Sequence, residues 1–185
     1  MDKEYCKDLI FNVFEKARAR ANHIVFMRTF RMGVMETMNP EERKNFIEAL
    51  NEMISSGFIK YESGDGGMDL IRLTDSGYRE IYKDSRSDCM VAEMLMNEFS
   101  RNRLEEGMCI SMQYIRMSFL PTLNPVETDL FVDVLNILIQ HKFISYEDGS
   151  HGRIESLKLL RAGYDFIYKQ IPSSLTCFFC DEIVD

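Results

Sequence analysis

The part of the chain that decides the fold lies at residues 57–78, which read GFIKYESGDGGMDLIRLTDSGY. Phe58–Glu62 is rich in β-branched and aromatic residues, and apolar residues predominate in the return run Met68–Leu73. Between the two runs, Ser63–Gly67 carries three glycines, which suit a tight turn. Thr74 follows as the N-cap of a short helix. The stretch therefore predicts a β-hairpin that leads directly into a helix.

The same pattern returns at residues 142–164, which read KFISYEDGSHGRIESLKLLRAGY. Sliding the chain by 85 positions aligns Leu9–Gly67 with Met94–Gly152 without a gap, and 20 of the 59 pairs are identical. One inserted residue then changes the offset to 86. The chain is thus predicted to hold two copies of one domain of roughly 80 residues. The polar stretch Asp84–Asp88 joins them.

Three helices are predicted before the hairpin of each copy. Each copy begins with apolar residues at helical spacing. A second apolar stretch, Ile24–Met35 and Cys109–Leu120, is interpreted as mainly helical. A third helix follows Asn39-Pro40 and Asn124-Pro125, because Asn is a good N-cap and Pro suits the first helical position. In the first copy this helix should end near Ser56-Gly57. Its buried face is predicted to hold Phe46, Ile47, Leu50, Met53 and Ile54.

Three helices, a hairpin and a closing helix resemble the winged helix-turn-helix family. The resemblance rests on the glycine-rich turn and on Leu73–Tyr78, which is similar to the L-T-x-x-G segment that follows the wing in small bacterial repressors. It implies a mainly α fold with small β-hairpins (α+β), arranged as two tandem winged-helix domains at residues 1–84 and 89–170. Residues 171–185 remain as a C-terminal tail, which we expect to dock because it carries Phe178 and Phe179.

Charge and composition restrict the setting in which the protein works. The net charge is −8, and an acidic chain is a poor non-specific ligand for phosphate backbones. The sequence predicts no signal peptide and no membrane span. Five cysteines, odd in number and scattered, indicate reduced thiols. A cytoplasmic location and no membrane partner are therefore expected.

The family resemblance implies one possible DNA-reading surface, in the first copy. Winged helices usually place the third helix in the major groove. Arg28, Arg31, Arg43 and Lys44 are the candidate DNA-binding residues there, because Arg and Lys contact phosphates and guanine edges. Four glutamates share the same third helix, so these charges are also compatible with a merely solvated helix face. The third helix of the second copy, Pro125–Gln140, contains no Lys or Arg.

The third helix of the second copy also carries extra apolar residues. Val126, Leu130, Val134 and Ile137 replace Glu41, Asn45, Ala49 and Glu52 of the first copy. At about 100° per residue they are interpreted as an apolar stripe roughly opposite the core face. The hypothesis is that this apolar stripe is a protein interface, covered by the first copy, by a second chain or by the tail. The alternative is that the chain's own tail covers it without a functional role.

Motifs that carry chemistry are scarce. Cys177-x-x-Cys180 has metal or redox spacing, but structural zinc needs four ligands and no second pair exists. The three histidines are far apart in the sequence, and the glycine-rich segment lies in a hairpin rather than ahead of a helix. The sequence therefore predicts no catalytic residue, metal site, cofactor or small-molecule substrate, and we do not expect an enzyme.

These observations favour a non-enzymatic tandem winged-helix protein that acts as a macromolecular interaction module through protein contacts. The partner would be another protein or a second copy of the chain. Acidic tandem winged helices also resemble accessory subunits of chromosome-condensing complexes, which act as protein adaptors. The alternative is a transcriptional regulator that binds DNA through the first winged-helix domain.

Overall fold

The computed structural model describes residues 1–64, 68–148 and 154–169. The chain divides into two compact units, Met1–Asp84 (unit 1) and Ser85–Asp185 (unit 2). Most of the described chain is helical, and each unit adds one small antiparallel sheet of three strands. The predicted fold class, mainly α with small β-hairpins, is confirmed.

Unit 1 alternates helices with short strands. Its elements, in chain order, are α1 (Lys3–Lys16), β1 (Ile24–Phe26), α2 (Met27–Gly33), α3 (Pro40–Ser55), β2 (Ile59–Ser63), β3 (Asp69–Leu73) and α4 (Asp75–Ile81). A 3₁₀ turn at Met35–Thr37 separates α2 from α3. Strand β3 is central and pairs antiparallel with both β1 and β2. One edge strand of the sheet, β1, therefore comes from the segment between the first two helices.

Unit 2 repeats this order. Its elements are α5 (Asp88–Arg101), β4 (Cys109–Ser111), α6 (Met112–Tyr114), α7 (Pro125–Gln140), β5 (Ile144–Asp148), β6 (Ile154–Leu159) and α8 (Arg161–Tyr168). Helix α6 continues as a π-helical segment, Ile115–Phe119, and a 3₁₀ turn, Leu120–Thr122. Strand β6 pairs with β4 and β5.

The third helix of each unit begins where its sequence predicts. Asn39 and Asn124 each accept a hydrogen bond from the backbone N–H three residues ahead. Glu42 and Glu127 accept one in return from the N-cap backbone N–H. This reciprocal pair satisfies two amide donors that a helix end otherwise leaves unbonded. The Asn-Pro start signal is therefore a capping box in both units.

Each unit has its own apolar core. The first and third helices pack together in both units, α1 on α3 and α5 on α7. In unit 1 the rings of Phe14, Phe30 and Phe46 lie in a row, tilted against each other, with neighbouring centroids 6.2 Å apart. In unit 2, Phe119 packs on Phe131 with centroids 5.9 Å apart. Side chains from three helices and the sheet thus bury one cluster per unit.

The structure corrects one predicted element and leaves two predictions outside its described residues. The stretches predicted as mainly helical begin as strands, because Ile24–Phe26 and Cys109–Ser111 pair with the sheet before the second helix starts. Their apolar spacing alone does not separate a buried strand from a helix. Most of the two predicted wing turns, Ser63–Gly67 and its counterpart Asp148–Arg153, and the whole tail 171–185 lie outside the described residues.

The contacts of the L-T-x-x-G segment explain why it carries a threonine and a glycine. Thr74 is the N-cap of α4, and its Oγ1 accepts a hydrogen bond of 3.0 Å from the Gly77 amide. The same hydroxyl reaches the carbonyl oxygen of Phe58, at 2.8 Å. A Cβ on Gly77 would overlap that carbonyl oxygen. Unit 2 keeps the glycine as Gly163 but has Leu160 at the cap, without a side-chain hydrogen bond.

Lys142 offers a route to a more stable unit 2. It has φ of +57°, and the equivalent residue in unit 1 is Gly57, with φ of +75°. A side chain costs about 1–2 kcal/mol in this left-handed region, whereas glycine adopts it freely but costs more entropy on folding. We expect Lys142→Gly to raise the free energy of unfolding of unit 2 by about 1 kcal/mol. Urea unfolding followed by circular dichroism measures this, and the reciprocal Gly57→Lys should destabilise unit 1. An unchanged free energy of unfolding in Lys142→Gly would contradict the strained left-handed conformation of Lys142.

Candidate macromolecular interface

The four predicted DNA-binding cations all lie on the surface of unit 1. Arg28 and Arg31 are exposed on α2, and Arg43 and Lys44 are exposed near the start of α3. Three of them line two cavities that share Arg31 and Met32. Arg28 and Arg31 line a cavity of about 800 Å³, and Arg31 and Arg43 line one of about 360 Å³. Lys44 lines neither of these cavities and lies 3.9 Å from Glu48.

The partners of these arginines are weak. The Nε of Arg28 donates to the Met32 sulfur, at 3.1 Å, and the Nε of Arg43 donates to the Met35 carbonyl oxygen, at 3.1 Å. Among the residues that the structure describes, neither arginine has a carboxylate partner. Arg31 reaches Asp69 at 3.3 Å. Two guanidinium groups are therefore available to an anionic ligand.

Asp69 also bonds a tyrosine at the edge of this surface. The hydroxyl of Tyr61 donates to Asp69 Oδ1 across the β2–β3 pair. This hydrogen bond to a carboxylate raises the pKa of Tyr61, so the hydroxyl stays protonated at neutral pH. The Asp69 charge is thus shared between Tyr61 and Arg31, and it does not compensate Arg28.

Unit 2 lacks most of this positive charge. At the positions of Arg28, Arg43 and Lys44 it has Gln113, Thr128 and Asp129. Only Arg31 has a basic counterpart, Arg116, which is exposed. The surface of unit 2 that corresponds to the candidate DNA-reading surface is therefore not basic.

Instead, both units expose apolar side chains at equivalent positions of this surface. Met117 is 74% exposed and Val132 is 63% exposed. Their counterparts in unit 1, Met32 and Ile47, are exposed as well. These residues were not among the predicted site residues, and Ile47 was predicted to be buried. The signal was available, since Met32 and Met117 are identical and the Ile47–Val132 pair is apolar in both copies.

One of the four residues of the apolar stripe, Val134, belongs to the core, which corrects its predicted position opposite the core face. Val134 is wholly buried in the core of its own unit, and so is its counterpart Ala49. The reason is geometric: at 100° per residue, Val134 lies only about 60° from the core residue Phe131. Val126, Leu130 and Ile137 are partly buried.

The equivalent of Ile137 in unit 1 takes part in ion pairs between the first and third helices. There Glu52 of α3, the counterpart of Ile137, pairs with Lys3 and Lys7 of α1 at 3.0 and 3.1 Å. Hydrogen bonds to Glu48 and Glu52 raise the pKa of Lys3, and hydrogen bonds to Glu4 and Glu52 raise the pKa of Lys7. Hydrogen bonds from the two lysines lower the pKa of Glu52. In unit 2 the counterpart of Lys7 is Ala92, which is wholly buried on α5. Helices α5 and α7 pack together as α1 and α3 do, with apolar residues at the positions of Lys7 and Glu52.

The remaining sequence motifs add no second site. Cys177 and Cys180 lie outside the described residues. Within residues 1–64, 68–148 and 154–169, no three His, Cys, Asp or Glu side chains are grouped as metal ligands. No helix in the same ranges is long and apolar enough to cross a membrane.

Comparison of the chain with family models, with curated proteins and with solved structures finds no match.

Proposed function

We propose that the chain is a non-enzymatic, cytoplasmic interaction module, built from two winged-helix domains, that acts through contacts with proteins. The element order supports the domain assignment. In each unit one helix and one strand precede two further helices, and a hairpin and a closing helix follow. The early strand pairs with the second strand of the hairpin, in both units. Fold alone does not fix function, so the surface has to carry the argument.

The observation that carries the proposal is the exposure to solvent of two apolar side chains of unit 2, Met117 and Val132. A DNA-reading surface needs Lys or Arg for phosphates, and helix α7 contains neither. Full burial of an exposed apolar side chain by a partner contributes about 1.5–3 kcal/mol to the free energy of binding. Exposure of apolar residues at matching positions of both units favours a protein partner or a second copy of the chain.

The double variant Met117→Asp/Val132→Asp tests this proposal. Both residues are exposed, so the variant should fold, and a charge placed in the contact should weaken partner binding at least about 10-fold. Ser118→Asp adds a charge to an exposed neighbour and serves as the control. The measurements are mass by light scattering, for a second copy, and quantitative co-purification from the cells that express the chain, for another protein. Equal binding by the double variant and the control would refute the proposal.

DNA binding through unit 1 is the second candidate. The observation that favours it is the grouping of Arg28, Arg31 and Arg43 around two cavities that share Arg31. On this alternative, a gel-shift experiment should show binding that weakens steeply with salt, because each phosphate contact releases counterions. Replacing the three arginines and Lys44 with alanine should abolish it. Unchanged affinity would remove this surface as the DNA reader.

A further inference from the structure

The larger cavity of unit 1 is an apolar groove with a charged edge. Phe26, Met32 and Met68 line it together with Arg28 and Arg31, and Asp69, the ion-pair partner of Arg31, lines it as well. We call this cavity the unit 1 groove. Phe26, at the end of β1, is 51% exposed, and Met68, directly before β3, is 59% exposed. At about 800 Å³, the groove has the volume of a typical ligand pocket.

The charge at the edge of the groove is positive in an acidic protein. Arg28 has no carboxylate partner in the described part of the chain, and Arg31 holds Asp69 only at 3.3 Å. Residues 1–84 contain 13 basic and 15 acidic residues, so acidic partners for Arg28 are not scarce in the unit. An exposed guanidinium beside an apolar wall matches a ligand that has both carboxylates and an apolar side chain.

Unit 2 shows that the groove is specific to unit 1. The counterpart of Phe26 is Ser111, and the counterpart of Arg28 is Gln113; both are exposed. Met27, Arg31 and Met32 are identical in the second copy, as Met112, Arg116 and Met117, whereas Thr29 and Asp69 correspond to Tyr114 and Ile154. The chain therefore contains a natural counterpart of the groove that lacks the aromatic wall and the first arginine and differs at other lining positions as well.

We propose that the unit 1 groove binds an acidic peptide segment of a partner protein, with one large apolar side chain of that segment against Phe26 and Met68. Carboxylates of the segment pair with Arg28 and Arg31. This inference rests on the proposed function, since it names the chemistry of one protein partner. It concerns residues distinct from Met117 and Val132. A DNA backbone is a poorer occupant, because phosphates leave Phe26 and Met68 in water.

The test is fluorescence anisotropy with the full chain and a short labelled peptide of glutamate and aspartate around a central Phe–Leu pair. Two control peptides carry serine in place of Phe and Leu, or lysine in place of the acids. We expect each control peptide to bind at least about 10-fold more weakly than the acidic apolar peptide. Equal binding of the three peptides, or no binding of the first, would overturn the proposal.

Substitutions taken from unit 2 locate the binding. Phe26→Ser and Arg28→Gln should each weaken binding of the acidic apolar peptide about 10-fold. Arg116→Gln is the matched control, since it removes one exposed arginine from unit 2 and leaves the groove intact. Met117→Asp/Val132→Asp should also bind the peptide normally, so failure of the groove and failure of the proposed function are told apart. Equal loss in Arg28→Gln and Arg116→Gln would show non-specific charge attraction and contradict the proposal.

Other occupants give different results in the same assay. Tighter binding of duplex DNA than of the peptide, lost in Arg28→Gln, would make the groove a nucleic-acid site. A dimer that Phe26→Ser dissociates would make the occupant a second copy. A gain in peptide affinity in Phe178→Ser/Phe179→Ser would identify the chain's own C-terminal segment as the occupant. Each of these three results overturns a groove reserved for a partner protein.

Discussion

Gly77→Ala should destabilise unit 1 by about 3 kcal/mol, and Gly163→Ala should do the same to unit 2. The new Cβ of residue 77 would overlap the Phe58 carbonyl oxygen and lie 2.7 Å from Cδ1 of Leu73. The Cβ of residue 163 would overlap the Phe143 carbonyl oxygen. A backbone oxygen cannot rotate away as a side chain can, so α4 or α8 would have to move off the sheet.

Hydrogen exchange measured by mass spectrometry assigns the loss to one unit, because peptides of the two units are distinguished. Gly33→Ala is the control, since no atom lies within 4 Å of its added Cβ and its φ is not positive. Alanine there should be neutral or stabilise by up to about 1 kcal/mol. Equal effects of Gly77→Ala and Gly33→Ala on stability would contradict the close contact between α4 and the backbone of Phe58.

Glu127→Ala should cost unit 2 about 3 kcal/mol, well above the cost of the equivalent change Glu42→Ala in unit 1. Glu127 is 1% exposed, and its Oε1 accepts hydrogen bonds from the backbone amide and the Nε of Arg86, at 3.0 and 2.9 Å. Its Oε2 completes the capping box with Asn124. Removing the carboxylate leaves these donors, one of them charged, without their acceptor.

Glu42 is the internal control because it has the same helical position with fewer contacts. Its side chain is 29% exposed, and its charged neighbour is the amino group of Met1, at 3.8 Å. Exposed pairs of this kind contribute about 0–1 kcal/mol, to which the capping box adds about 1 kcal/mol. Urea unfolding of both variants gives the two costs. Equal costs would mean that burial of Glu127 adds nothing to the stability of unit 2.

Local signals made the third helices predictable from sequence. The Asn-Pro start needs only residues within one helical turn, and both third helices begin at the predicted Asn-Pro. Strand β1 was not predictable in this way, because Ile24–Phe26 is a strand only through its pairing with β3, more than 40 residues later. Its short apolar run resembles the start of the helix that follows it.

The candidate site was likewise predictable only in part. Exposure of Arg28, Arg31, Arg43 and Lys44 followed from their place on amphipathic helices. The grouping of the three arginines around two cavities depends on how α2, α3 and the sheet pack, which helical spacing does not specify. Val134 was assigned to the apolar stripe rather than to the core because it falls between the two faces of α7. Comparing the two copies residue by residue resolves this, since Ala49 and Val134 are both wholly buried.

Site-specific photo-crosslinking tests the protein-contact account most directly. A photoreactive phenylalanine analogue is placed at Met117 or Val132, and at Glu105 as an exposed control in the loop before β4. Irradiation of the cells that express the chain should then yield a discrete protein adduct, to a partner or to a second copy, from positions 117 and 132 and not from 105. The account is contradicted if positions 117 and 132 give only nucleic-acid adducts, or give no more protein adduct than position 105.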